Sequence, residues 1–88
     1  MIYRERIKSL REDNDYTQAQ IGKILNKSQQ GYNHIEVGRA ELKIEDLMLL
    51  CKFYNISADY IIGLTNQKRT SFSSLILLSK DILSFFIF

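Results

Sequence analysis

The chain carries, close together, the signals of two short helices separated by one tight turn. Thr17 is followed three residues later by Gln20, which is the pattern of a capping box at a helix N-terminus. Asn26 follows the last apolar position of that helix, and asparagine tolerates the left-handed backbone that a sharp exit requires. Ser28 can cap a second helix, which Gly38 ends. The pattern predicts helix, turn and helix over residues 17–37.

The rest of the first 64 residues also follows a helical period. Ile7 and Leu10 share a face with Tyr3, which predicts a first helix over residues 2–13. A fourth helix is predicted over residues 44–54, and Ser57 caps a fifth. The residues predicted to be buried on these last two helices are Ile44, Leu47, Met48, Leu50, Cys51, Ile61 and Ile62. There is no proline and no strand-like alternation in this part, so we expect an all-α domain at residues 1–66.

Composition excludes several functional classes. A net charge of +2 permits nucleic-acid binding without requiring it. The single cysteine, Cys51, cannot form an internal disulfide, and no Cys/His cluster has metal-ligand spacing, so we expect no metal and no cofactor. The charged N-terminus is unlike a secretory signal, which favours a cytoplasmic protein. Neither a nucleophile nor a coupled acid and base is apparent, so we expect no enzymatic activity.

Four stretches together carry a family resemblance. They are Arg6-Ile7-Lys8-Ser9-Leu10-Arg11, Tyr16-Thr17-Gln18-Ala19-Gln20-Ile21-Gly22, Ser28-Gln29-Gln30-Gly31-Tyr32-Asn33-His34-Ile35-Glu36-Val37-Gly38 and Ile56-Ser57-Ala58-Asp59-Tyr60-Ile61-Ile62-Gly63. Residues 6–66 thereby resemble the Cro/phage-repressor-like helix-turn-helix family, also called the XRE family. The resemblance implies a five-helix, lambda repressor-like fold. It also implies a transcriptional repressor that reads operator half-sites in double-stranded DNA through a recognition helix at residues 28–36.

The predicted recognition helix has two different sides. Tyr32 and Ile35 are three residues apart and can dock on the domain. The side chains expected to contact bases are Gln29, Gln30, Asn33 and His34. In the family, the positions of the two glutamines and of the histidine commonly touch base edges, and the asparagine is adjacent. Amide side chains can also bond an adenine edge with two hydrogen bonds.

Further contacts are expected around this helix. In the family, a glutamine at the start of the second helix binds a phosphate oxygen. Gln18 matches that glutamine, and helix N-termini favour anions. The other expected phosphate contacts are Lys27, Ser28, Arg39 and Lys43. The family resemblance also implies a partly buried ion pair between Arg11 and Glu36. Gly22 stands where the family usually has alanine.

Residues 67–88 form a polar hinge followed by an apolar segment. The residues that share one face of a helical wheel are Phe72, Leu75, Ile76, Ile82, Leu83, Phe86 and Ile87. We expect this segment to be a dimerisation helix, because exposed apolar patches mark interfaces and such domains read two half-sites as homodimers. A membrane anchor is disfavoured, because the segment is short and Lys80-Asp81 lie near its centre. Two alternatives remain: a segment that binds another protein, as in an antitoxin-like module, and a chain end without function.

Overall fold

A computed structural model describes residues 2–69, which fold into five α-helices. The helices are α1 (Ile2–Asp13), α2 (Gln18–Ile24), α3 (Gln29–Val37), α4 (Ile44–Tyr54) and α5 (Ala58–Ile62). No strand occurs among these residues, so the all-α prediction is confirmed. The predicted apolar segment lies outside the described residues.

Side-chain caps begin three of the helices. The hydroxyl of Thr17 accepts a hydrogen bond from the backbone N–H of Gln20 at 3.1 Å. The Gln20 side chain in turn accepts from the backbone N–H of Thr17 at 2.8 Å, which confirms the predicted capping box. Ser28 caps α3 and Ser57 caps α5, each by accepting from the N–H three residues further on. These caps satisfy N–H groups that the first helical turn leaves without a partner.

Residues with left-handed backbone lie at or just after the ends of helices, and two of them, Asn26 and Gly38, are at the predicted positions. Asn26 has φ 60° in the turn between α2 and α3, and Asn55 has φ 56° at the end of α4. Gly38 has φ 95° at the end of α3. Asparagine and glycine are the residues that adopt this conformation at least cost, so the turns follow from residue type.

One hydrophobic core joins all five helices. Its buried members are Ile7, Leu10, Ile21, Leu25, Tyr32, Ile35, Leu47, Leu50, Ile56 and Ile61. The predicted burial of Ile44, Met48 and Ile62 was wrong, since they are 64%, 55% and 43% exposed. Helix α4 carries few charged residues, and one of them, Asp46, is itself buried, so periodicity did not identify which side faces the core.

Gly22 allows the chain to turn closely between α2 and α3. It is buried, and its carbonyl accepts a hydrogen bond from the Lys27 N–H at 2.7 Å. A Cβ added at Gly22 would lie 3.0 Å from the carbonyl oxygens of both Lys27 and Ser28. Contacts that short with backbone atoms are unfavourable. The close turn therefore favours glycine at this position.

Two arginines of α1 bind carbonyl oxygens at the ends of other helices. The Arg4 guanidinium donates to the carbonyl of Ile35 and, at 2.8 Å, to that of Ala40. The Arg6 guanidinium donates to the carbonyl of Tyr60 and lies 4.2 Å from the centre of that tyrosine ring. Helix C-termini leave carbonyls without partners, and cations there are favourable. Helix α1 thus holds the C-terminal ends of α3 and α5.

Candidate nucleic-acid interface

Helix α3 separates its residues into a buried side and an exposed side. Tyr32 and Ile35 are 0% and 2% exposed and anchor the helix in the core. Gln29 and Gln30 are exposed at its N-terminal end, whereas Asn33 and His34 are half-buried. The predicted base-contacting residues therefore fall into two groups, of which only the glutamines are exposed.

Gln18, at the start of α2, connects the residues of α3 through hydrogen bonds. Its side-chain Nε2 donates to Asn33 Oδ1 at 2.8 Å and to Glu36 Oε1 at 3.2 Å. Its Oε1 accepts from Nε2 of Gln29 at 3.4 Å. Four predicted site residues are thus brought together in one network between α2 and α3, which runs from the exposed Gln29 to the buried Glu36.

Glu36 determines which way the Gln18 amide points. A carboxylate can only accept hydrogen bonds, so the amide must turn its NH₂ group toward Glu36. Both donors of that NH₂ are then used inside the protein, and its oxygen faces Gln29. Gln29 donates one side-chain N–H to that oxygen. Its second N–H and its own side-chain oxygen remain available to a ligand. One donor and one acceptor side by side match the edge of an adenine.

The same network determines which groups of Gln18 can donate a hydrogen bond to a phosphate. Its side-chain N–H groups bind Asn33 and Glu36, and its outward oxygen is an acceptor that a phosphate would repel. Its backbone N–H lies in the first turn of α2, where amides point away from the helix and favour anions. A phosphate contact at Gln18 is therefore best supplied by the backbone.

Arg11 and Glu36 form a buried ion pair beneath this network. Arg11 Nε and Glu36 Oε2 lie 2.8 Å apart, Nη2 and Oε1 lie 3.1 Å apart, and the two side chains are 12% and 2% exposed. The guanidinium also donates to the Tyr16 carbonyl at 3.1 Å. Burial alone would raise the pKa of Glu36, but the hydrogen bonds from Arg11 and Gln18 outweigh it and hold that pKa below its ordinary value.

Tyr32 lies in the same buried region. Burial, together with the neighbouring Glu36 carboxylate, raises the pKa of its phenol well above the ordinary value. The phenol therefore stays neutral and contributes no charge to the interface.

The cationic side chains around the recognition helix differ in whether a carboxylate of the protein already binds them. Arg39 and Lys43, in the loop between α3 and α4, are exposed, and Ser28 is exposed at the α3 N-terminus. Lys27 instead lies against α4, with its Nζ 3.3 Å from Oδ2 of the buried Asp46. The loop residues can reach a neighbouring anion without breaking a contact, whereas Lys27 would have to leave its carboxylate.

The contact between Arg4 and the C-terminal end of α3 was not foreseen from the sequence. Arg4 binds carbonyls on both sides of Gly38 and lies 3.7 Å from the Glu41 carboxylate. It fixes the end of the recognition helix and the start of the loop that carries Arg39. No local sequence signal marks it, because the contacts join residues more than 30 positions apart.

The described residues contain no group of His, Cys, Asp and Glu side chains arranged to hold a metal ion. Within residues 2–69, no helix has the length and apolarity required to cross a membrane.

A capped second helix, a tight left-handed turn and a third helix with an exposed polar side define a helix-turn-helix domain. The chain belongs to the helix-turn-helix family, whose model matches residues 7–61.

Two proteins of Bacillus subtilis strain 168 are similar to it. The HTH-type transcriptional regulator YobD is 28% identical over 66 residues, which cover 75% of this chain and 59% of YobD. The SPbeta prophage-derived HTH-type transcriptional regulator YonR is 30% identical over 67 residues, which cover 76% of this chain and 62% of YonR. The chain thus spans about three-fifths of each relative's length. No solved structure matches it significantly.

Proposed function

We propose that this chain is a sequence-specific DNA-binding transcriptional regulator that places α3 in the major groove. The observation that carries this proposal is the exposed pair Gln29 and Gln30, with the first held by Gln18 and, through it, by Glu36. A base-reading side chain that is oriented before binding loses less conformational entropy on binding. Both similar proteins from Bacillus subtilis are named as transcriptional regulators, which supports the proposal.

Phosphate contacts position α3 in this proposal. The backbone N–H groups at the start of α2 and the side chains of Ser28, Arg39 and Lys43 flank the recognition helix. Such contacts orient a protein on the duplex, and base contacts supply the specificity. His34 is half-buried and lines the same surface pocket as Ser28 and Lys43, and it is a further candidate for a base or phosphate contact.

We also propose that the regulator acts as a homodimer and represses transcription from the cytoplasm. A single recognition helix reads few base pairs, and dimers of such domains bind two half-sites about 34 Å apart. The apolar segment at residues 72–88 is the candidate for the contact with the second copy.

The test is selection of binding sites from randomised DNA, followed by mobility shifts with variants. Gln29→Ala and Gln30→Ala should each lose affinity for the selected site by about 5- to 150-fold, which corresponds to about 1–3 kcal/mol for a lost base contact. Gln67→Ala removes an exposed glutamine outside the interface and should leave affinity unchanged.

The absence of an enriched site at low salt would refute the regulator proposal. Unchanged DNA binding by both variants, together with a stable complex with another protein, would instead favour the protein-interaction alternative.

A further inference from the structure

Helix α3 exposes three of its nine residues, and one of the three is apolar. Gln29 and Gln30 are exposed at its N-terminal end, and Val37, its last residue, is 59% exposed. Single exposed apolar residues are common on protein surfaces, so exposure alone assigns no role to Val37. Its position on the helix is what distinguishes it.

Val37 lies on the side of α3 that faces away from the core. At about 100° per residue, it is about 140° from the buried Tyr32 and about 160° from the buried Ile35 around the helix axis. Seven residues make nearly two full turns, so Val37 lies within about 20° of Gln30. Its Cβ is tilted toward the helix N-terminus, so the side chain covers the surface of the preceding turn, on the side of Gln30.

The backbone around Val37 is held in place by the rest of the domain. The carbonyl of His34 accepts hydrogen bonds of 2.8–3.1 Å from the N–H groups of the three residues that follow Val37. The Arg4 guanidinium donates to the carbonyls of Ile35 and Ala40, on either side of it. Valine also has one strongly preferred side-chain rotamer in a helix. Its methyl groups are therefore fixed before any contact forms, which lowers the entropic cost of binding.

Neither helix formation nor the core explains a valine at this position. A β-branched residue is a weaker helix former than a straight-chain residue, and an exposed side chain buries little area against its own domain. In the major groove, thymine is the base that presents a methyl group, and apolar side chains recognise it. An apolar side chain on the same side of α3 as Gln30 has the chemistry for this contact.

We propose, on the basis of the DNA-binding function proposed above, that Val37 contacts the C5 methyl group of a thymine in the major groove. It thereby adds a thymine preference to the bases read by the two glutamines. The two turns between Gln30 and Val37 span about 10.5 Å. At about 3.4 Å per base step, that distance corresponds to at most about three base pairs. The thymine should therefore lie within about three base pairs of the base that Gln30 contacts.

Replacing thymine by uracil tests this contact, because it removes the C5 methyl group and keeps every hydrogen-bonding group of the base. The thymines of the selected site are replaced one at a time, and affinity is measured for the unmodified chain and for Val37→Ala. One replacement should weaken binding by the unmodified chain about fourfold, which is the contribution of one buried methyl group. Val37→Ala should bind the thymine site at least about fourfold more weakly, and the same replacement should then have no further effect.

Two controls separate this contact from a general loss of folding or binding. Alanine is a stronger helix former than valine, so Val37→Ala should keep the circular dichroism spectrum of the unmodified chain. Leu64→Ala shortens another apolar side chain, which is 74% exposed and lies outside α3. This variant should bind like the unmodified chain and keep the full sensitivity to uracil.

The outcomes distinguish this contact from the proposed function as a whole. If no uracil replacement weakens binding, or if each weakens binding equally in the unmodified chain and in Val37→Ala, the thymine contact is refuted. The DNA-binding function still stands in that case, provided that Gln29→Ala and Gln30→Ala lose affinity for the selected site. If no site is enriched from randomised DNA, both the function and the contact are refuted.

Discussion

Replacing Glu36 by glutamine tests the buried ion pair and the hydrogen-bond network above it. The variant keeps the side-chain shape but replaces one carboxylate oxygen with an NH₂ group, which would face the Arg11 guanidinium or the Gln18 amide. Removing one partner of a fully buried pair costs about 3–5 kcal/mol. Hydrogen bonds to a charged group contribute about 1.5–3 kcal/mol each. Because Arg11 keeps the Tyr16 carbonyl and one amide oxygen, we expect a loss of about 2 kcal/mol.

This loss should depend on pH in a defined direction. The pKa of Glu36 is lower in the folded chain than in the unfolded chain. Its contribution to stability is therefore fully present above the unfolded pKa of about 4.3 and is lost as pH falls through the lower folded value. The difference between the unmodified chain and Glu36→Gln should be largest at neutral pH and should shrink in acid.

Thermal and urea unfolding over a pH series measure the effect. For a domain of this size, about 2 kcal/mol lowers the melting temperature by about 8–16 °C. Glu41→Gln is the control, because this carboxylate is 83% exposed and 3.7 Å from Arg4. Such surface pairs contribute about 0–1 kcal/mol. A Glu36→Gln effect no larger than the control, or one that stays constant into acid, would refute the reasoning.

Two further predictions concern backbone space and phosphate contacts. Gly22→Ala should lower the free energy of unfolding by about 1–2 kcal/mol in urea titrations, because overpacking against two carbonyls outweighs the gain in helix propensity. Gly31→Ala meets side-chain atoms only, the Ser28 hydroxyl at 3.3 Å and the Lys27 Cβ at 3.7 Å, and should be tolerated better; equal effects would contradict the close turn. Arg39→Ala should reduce the slope of log affinity against log salt by about 0.9 while sparing base preference. An altered preferred site would show that Arg39 reads bases instead.

The local parts of this fold could be predicted from sequence. A cap such as Thr17 and Gln20, or a left-handed exit such as Asn26, involves atoms within three or four residues, so residue type and spacing suffice. The burial of Ile44 and Met48 could not be predicted in the same way. Which side of an apolar helix faces the core depends on distant elements, and those contacts leave no local pattern.

In the candidate site, too, only the local features could be predicted from the sequence. Gln29 and Gln30 could be selected from sequence, because their exposure follows from the period that buries Tyr32 and Ile35. The orientation of the Gln18 amide could not, because it depends on a carboxylate 18 positions away. The carbonyl contacts of Arg4 likewise become visible only once α1 is packed beside α3.

The arginines of α1 have a consequence for how such a regulator would distribute itself in a cell. Arg4, Arg6 and Arg11 are engaged with carbonyl oxygens or a carboxylate, so three of the twelve lysines and arginines are withheld from the charge-driven attraction that holds a protein on arbitrary DNA. A genome offers vastly more arbitrary sites than operators. A domain that uses three of its five guanidinium groups to hold its own helices should be sequestered less by bulk chromosome than one with all five free, and fewer copies should then suffice to occupy an operator.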